Sequence, residues 1–291
     1  MNNFASLEGS LAVPGFGEIY YQDHRPAIDR GLTPVLCLAG FWRNSSDFNR
    51  LAAKIAPERR VVAPDLRGRG KSSRSFNAAD YHFDKLVADV WRLLDELTLP
   101  RVVVVGMALG GFIALHMART KPDRIAGIVL NDVGTETASP GAKQIAAHMD
   151  HNTYTFDDAL RKVRDQHGPY LSEFSEDDWR AFTLQAYRDI GGGRYVRDFD
   201  ELTQRETERF KAAKPSFWDD YVSLGPIPVA ILRGEFSGYL TLEMAKKMAA
   251  GHPRAILTTI SGRSHWPMLD EEASLRAVGH LLAETDRPVG G

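Results

Sequence analysis

Cysteine is nearly absent from this chain of 291 residues: Cys37 is the only one. No intramolecular disulfide can form, which fits a reducing compartment, and a cytoplasmic location is expected. Long apolar runs are missing as well. No stretch approaches the ~20 residues that span a bilayer, and Met1-Asn2-Asn3-Phe4 does not open a basic-then-apolar leader. An excess of one charge is also lacking. The formal net charge is −2 and the basic residues are dispersed, so neither nucleic acid nor an anionic membrane is the expected partner. A small molecule is. Internal repeats and low-complexity tracts are absent, and oligomeric state is not legible.

What is present suits a globular protein: 43% apolar and 25% charged residues, on a chain long enough for one domain with an insertion or for two small ones. Short β-rich runs alternate with helical patterns through the first half, the mark of a mainly parallel sheet covered by helices. Central strands are predicted over 34–38, 61–64, 101–105 and 125–130, with an antiparallel edge strand over 18–22. Helices are predicted over 83–97 and 109–119. The alternation stops between about 135 and 225, a stretch rich in helix formers and aromatics with no convincing buried strand. Strands return over 227–232 and 255–260, around a helix over 242–250. The predicted organisation is a sheet core of 1–134 and 226–291 interrupted by a helical cap of 135–225. Most cap aromatics pack the cap itself, and the remainder line a cleft between cap and sheet.

The most telling absence is one oxygen atom. Gly106-Met107-Ala108-Leu109-Gly110 follows the run Val102–Val105 and has the form of the strand-to-helix turn G-x-S-x-G that presents a catalytic serine, with alanine at the serine position. A non-glycine residue in that strained turn costs about 1–3 kcal/mol, so a purely structural turn would carry glycine at 108. After the 34–38 strand, Ala39-Gly40-Phe41-Trp42-Arg43-Asn44 can aim the N–H of Phe41 into the same place. With the N–H of Leu109 at the helix start it would form an oxyanion hole. Ser261-Gly262-Arg263-Ser264-His265-Trp266-Pro267 places His265 in a loop after the last strand, where a general base is needed. His116 falls mid-helix and reads as structural. Asp65-Leu66-Arg67-Gly68-Arg69-Gly70-Lys71-Ser72 ends like a phosphate-binding loop, but Asp65 stands where the first glycine is required. It is read as a tight turn beside the active-site face.

With these motifs in order, and with Leu130-Asn131-Asp132-Val133-Gly134, the chain resembles the α/β-hydrolase superfamily of capped serine hydrolases over nearly its whole length. The resemblance implies an α/β fold with a mostly parallel eight-stranded sheet, helices on both faces and a helical cap insertion. It also implies no metal or organic cofactor, and hydrolysis of an ester, lactone, amide or activated carbon–carbon bond by a serine–histidine–acid triad. Two departures stand out. Ala108 has no oxygen with which to attack a carbonyl. In Arg233-Gly234-Glu235-Phe236-Ser237-Gly238, relatives usually carry the triad acid near 238, and this chain has glycine. Asp132, at the end of the sixth strand, and Glu235 are the candidate acids, and a site without a functional acid is the third reading. The Asn131-Asp132 pair also suits a plain turn or helix cap.

Three functions follow from this pattern: a serine hydrolase inactivated at Ala108, a non-hydrolytic relative that acts as a small-molecule receptor, and a cofactor-free lyase or isomerase using His265 and Asp132. Trp42, Arg43 and Trp266 flank the site and are the expected substrate contacts, with Arg43 also able to pair with a structural carboxylate. The aromatic cap favours an apolar or aromatic substrate.

Overall fold

A computed structural model describes residues 3–137, 141, 149–213 and 215–287. Its centre is built from short apolar runs that are buried on both faces, as strands of a covered parallel sheet must be. These are β3 (Val35–Leu38), β4 (Val61–Pro64), β5 (Val102–Met107), β6 (Ile125–Asn131) and β9 (Val229–Gly234). Alternate residues of one strand face opposite sides. Leu36, Leu38, Val102 and Val104 join one core, whereas Val35, Cys37, Val103 and Val105 join the other. The first core is covered by α2 (Phe83–Glu96), α3 (Leu109–Thr120) and α8 (Leu242–Gly251), the second by α1 (Asn49–Ile55) and α9 (Glu272–Thr285).

With β1 (Phe4–Val13), β2 (Gly17–Pro26) and β10 (Ala255–Ile260), the sheet has eight strands in the order β1-β2-β4-β3-β5-β6-β9-β10. Only β2 runs against its neighbours; all other pairings are parallel. The strand expected over 18–22 is therefore antiparallel but not at the edge. That place belongs to β1, which the sequence pattern did not suggest, because most of its residues are exposed and its order comes from pairing with β2.

Between β6 and β9 lie α4 (Phe156–His167), α5 (Glu176–Ala186), β7 (Tyr187–Asp189), β8 (Tyr195–Arg197), α6 (Glu201–Ala212) and α7 (Trp218–Val222). The β7–β8 hairpin corrects the expectation of a strandless stretch. Its Tyr187 and Arg197 are buried, but three-residue strands are too short for an alternating signal. The remaining parts of the expected insertion, 138–140, 142–148 and 214, lie outside the described residues, as do 1–2 and 288–291 of the expected core. The described part of the segment packs over the carboxyl ends of the strands. Phe199 and Phe210 lie 6.2 Å from the rings of Trp42 and Phe41, which follow β3. Among the described residues no helix is long and apolar enough to cross a membrane.

The junction of β5 and α3 sets the geometry of everything above it. A Cβ on Gly106 would lie 2.5 Å from the Gly110 carbonyl oxygen, and one on Gly110 would lie 2.0 Å from that of Leu38. Only glycine lets α3 descend this close to β3 and β5. Gly110→Ala is expected to destabilise the fold by about 3 kcal/mol or more, since backbone rather than a flexible side chain must yield. Urea denaturation measures it, and stability within about 1 kcal/mol of the parent, the level of a tolerated swap, would refute the packing account.

Candidate active site

Ala108 stands between β5 and α3 at φ 44°, ψ −109°, a conformation that L-residues rarely adopt. Its side chain is buried and lines a cleft of about 620 Å³ that is partly open to solvent. Leu109 begins α3, so its N–H is one of the helix's unpaired first donors. Among the described residues, neither this N–H nor that of Phe41 has a hydrogen-bond partner. The Phe41 turn is braced from below. Arg69, completely buried, donates Nε–H to the Phe41 carbonyl at 2.9 Å and Nη1–H to the Arg67 carbonyl at 2.6 Å. The sequence pointed to the Arg/Gly turn without revealing that its arginine holds the Phe41 peptide.

His265 and Asp132 are brought together. His265 Nδ1 lies 2.7 Å from Asp132 Oδ2, which places the proton on Nδ1 and leaves Nε2 as the acceptor. Asp132 is fully buried and has a positive φ of 53°. Its carboxylate also accepts the Ser237 Oγ–H at 2.6 Å and the Gly234 N–H at 3.0 Å. Next to it, Asn131 Nδ2–H donates to the Pro267 carbonyl at 3.0 Å and ties the end of β6 to the histidine loop. Tyr239 stacks on His265 with ring centroids 4.4 Å apart. Burial, together with the Asp132 charge, raises the pKa of its hydroxyl.

Glu235, the other candidate acid, is not brought to His265. It is exposed, and its Oε2 accepts the Ser261 Oγ–H at 2.9 Å and the Gly262 N–H at 2.8 Å. Those bonds lower its pKa and close the loop between β9 and β10. Trp42, Arg43 and Trp266 all line the cleft. Arg43 does so with its charge already matched: its guanidinium forks onto the buried Asp47 carboxylate, with Nε 2.8 Å from Oδ2, and lies 5.0 Å from the Trp266 ring. Tyr239, Arg197 and Lys211 also line the cleft without having been singled out from sequence, because each belongs to a segment whose pattern gave no sign of which side chains turn inward.

A sequence model of the family described as alpha/beta hydrolase fold matches residues 33–272. The chain belongs to the α/β-hydrolase family. It is 30% identical to an α/β hydrolase from Novosphingobium aromaticivorans of known crystal structure, with a TM-score of 0.85 over 98% of this chain and 99% of that one. Among curated relatives, a 3-hydroxybutyrate-oligomer hydrolase of Cupriavidus necator is 24% identical over 266 residues, 88% of this chain and 89% of the relative. An sn-1-specific diacylglycerol lipase of Mus musculus is 26% identical over 270 residues, 88% and 82% of the two chains. Both of these relatives are hydrolases by name.

In this α/β hydrolase the turn after β4 carries a buried carboxylate with a pH signature. Asp65 accepts the Ser45 N–H at 2.7 Å and the Lys71 N–H at 2.8 Å, joining the start of the β4 turn to its end and to the segment after β3. Burial outweighs these bonds and, with Asp198 nearby, pushes its pKa from 3.8 up to about 6. The folded state therefore binds the proton more tightly than the unfolded chain does. The penalty of the charged form is absent below about pH 4 and complete above about pH 6. Relative to Asp65→Asn, the parent is expected to gain up to about 3 kcal/mol on going from pH 7 to pH 4. Denaturation curves of the two proteins across that range measure the difference, and a constant difference would contradict the assignment.

Proposed function

We propose that this chain has the binding site and charge relay of a capped serine hydrolase for an apolar or aromatic ester, lactone or activated carbon–carbon bond, and is inactivated at Ala108. The observation that carries the reading is the His265–Asp132 hydrogen bond of 2.7 Å on the same cleft as a residue held at φ 44°, ψ −109°. A strained alanine beside a poised imidazole has a chemical reason only if a side-chain oxygen belongs there. Residues 135–225 act as the cap over this cleft, and Trp42 and Trp266 hold the body of the substrate.

Serine at 108 would place its Oγ in the cleft. His265 Nε2 would take the hydroxyl proton as Oγ bonds to the carbonyl carbon, and the electron pair displaced onto the carbonyl oxygen would be held by the N–H groups of Phe41 and Leu109. Collapse would expel the leaving group, which takes the proton back from His265. Water, activated by the same imidazole, would then release the acyl group. Asp132 holds the Nδ1 tautomer and stabilises the imidazolium; Ser237 and Gly234 hold Asp132. As it stands, with alanine, the chain binds the substrate and cannot form the acyl-enzyme.

The histidine–aspartate pair is complete without a nucleophile, which favours a second reading: proton transfer next to a carbonyl, with the two N–H groups holding an enolate. Hydrolysis of aromatic esters and lactones by Ala108→Ser beside the parent separates the two. A folded serine variant as inert as the parent would overturn the hydrolase reading.

A further inference from the structure

Among the described residues, the cleft that holds Ala108 and His265 is lined by Arg43, Arg197 and Lys211 and by no aspartate or glutamate, in a chain whose net charge is −2. Arg43 is neutralised by Asp47. Lys211, on the last turn of α6, is placed differently. Its ammonium lies 4.5 Å from the centroid of the Phe41 ring and 5.1 Å from that of Trp42. Among the described residues no carboxylate pairs with it, and burial alone acts on its charge. Removal from water draws its pKa down to about 8. Aromatic faces offset part of the desolvation of a cation but leave its N–H donors unfilled, and burying an ammonium without an anion is costly. Two residues that line the cleft also carry buried donors, Trp42 Nε1–H and Tyr239 O–H, that have no partner among the described residues. The wall is thus electropositive, with aromatic surface beside its cations.

We propose that Lys211 is a specificity residue that binds a carboxylate on the substrate, a short distance from the bond presented to position 108. An ammonium without a carboxylate partner among the described residues matches a carboxylate, and its seat on the ring of Phe41 puts the anion one side chain away from the N–H groups that face the reacting carbonyl. The substrate is then an apolar or aromatic body with a reactive carbonyl at one end and a carboxylate at the other, not a neutral molecule. This inference rests on the proposed function for the identity of the reacting end, but not for the anion site itself.

The test uses binding to the full chain, which needs no turnover. Calorimetric titrations at pH 7 would compare monomethyl with dimethyl succinate, glutarate, adipate and terephthalate, pairs that differ by one negative charge. The monoanion of at least one pair is expected to bind about tenfold more tightly than its diester, the scale of one hydrogen bond to a charged group. Lys211→Met should abolish that preference, with circular dichroism and a thermal melt reporting an intact fold, and Lys211→Arg should keep it. Equal binding within every pair, or a preference that survives in Lys211→Met, overturns the assignment. If the preference holds but Ala108→Ser hydrolyses none of these esters, the anion site stands and the hydrolase reading falls.

Discussion

Ala108→Ser is expected to raise the hydrolysis of a bound ester over that of the parent by up to about 10⁶-fold, the loss that follows removal of the nucleophile from a complete triad. The reason for so large an effect from one oxygen is that nothing else has to be built. The backbone at 108 already holds φ 44°, ψ −109°, so serine enters a conformation that alanine is paying for. The acceptor is in place, because Asp132 fixes the His265 ring through Nδ1. The N–H groups of Phe41 and Leu109 have no other partner among the described residues. His265→Ala in the serine variant should return the rate to that of the parent, since a serine hydroxyl without a base is a weak nucleophile at neutral pH. Initial rates with the ester series measure both steps. A gain that survives the loss of His265 would mean that the serine acts without the proposed base.

In the same serine variant, Asp132→Asn is expected to lower kcat by about 10⁴-fold, as the wrong imidazole tautomer does in a triad. The asparagine would occupy the same volume, but an amide N–H facing Nδ1 drives the proton to Nε2, where it cannot accept from serine. Its neighbours would also need to rearrange, because the Ser237 hydroxyl and the Gly234 N–H both donate to this carboxylate. Some loss of stability is expected too, so the decisive quantity is kcat of the folded fraction. Glu235→Gln is the discriminating control. Its carboxylate bonds only the Ser261 and Gly262 loop positions, and the rate should stay near that of the serine variant. A large loss with Glu235→Gln and a small one with Asp132→Asn would reverse the choice of acid.

The sequence by itself determined those parts of this protein that rest on local pattern. Buried parallel strands have to be continuous apolar runs, so β3 to β6 and β9 were legible, and α2, α3 and α8 followed from spacing. The turn at 106–110 was legible because the close approach of α3 to β3 and β5 leaves room for glycine alone at both flanks. His265 was marked by its loop after the last strand. The tertiary structure alone decided what depends on side chains far apart in sequence. It put β1 at the edge through pairing with β2, and formed the β7–β8 hairpin from strands too short to carry a period. It brought Asp132, and not Glu235, to a histidine 133 positions away. It spent the charge of Arg43 on Asp47, while turning Lys211 inward onto Phe41 and Trp42. Periodicity reports which face of an element is buried; it does not report which partner waits there, and charge pairing is settled only when both partners are in place.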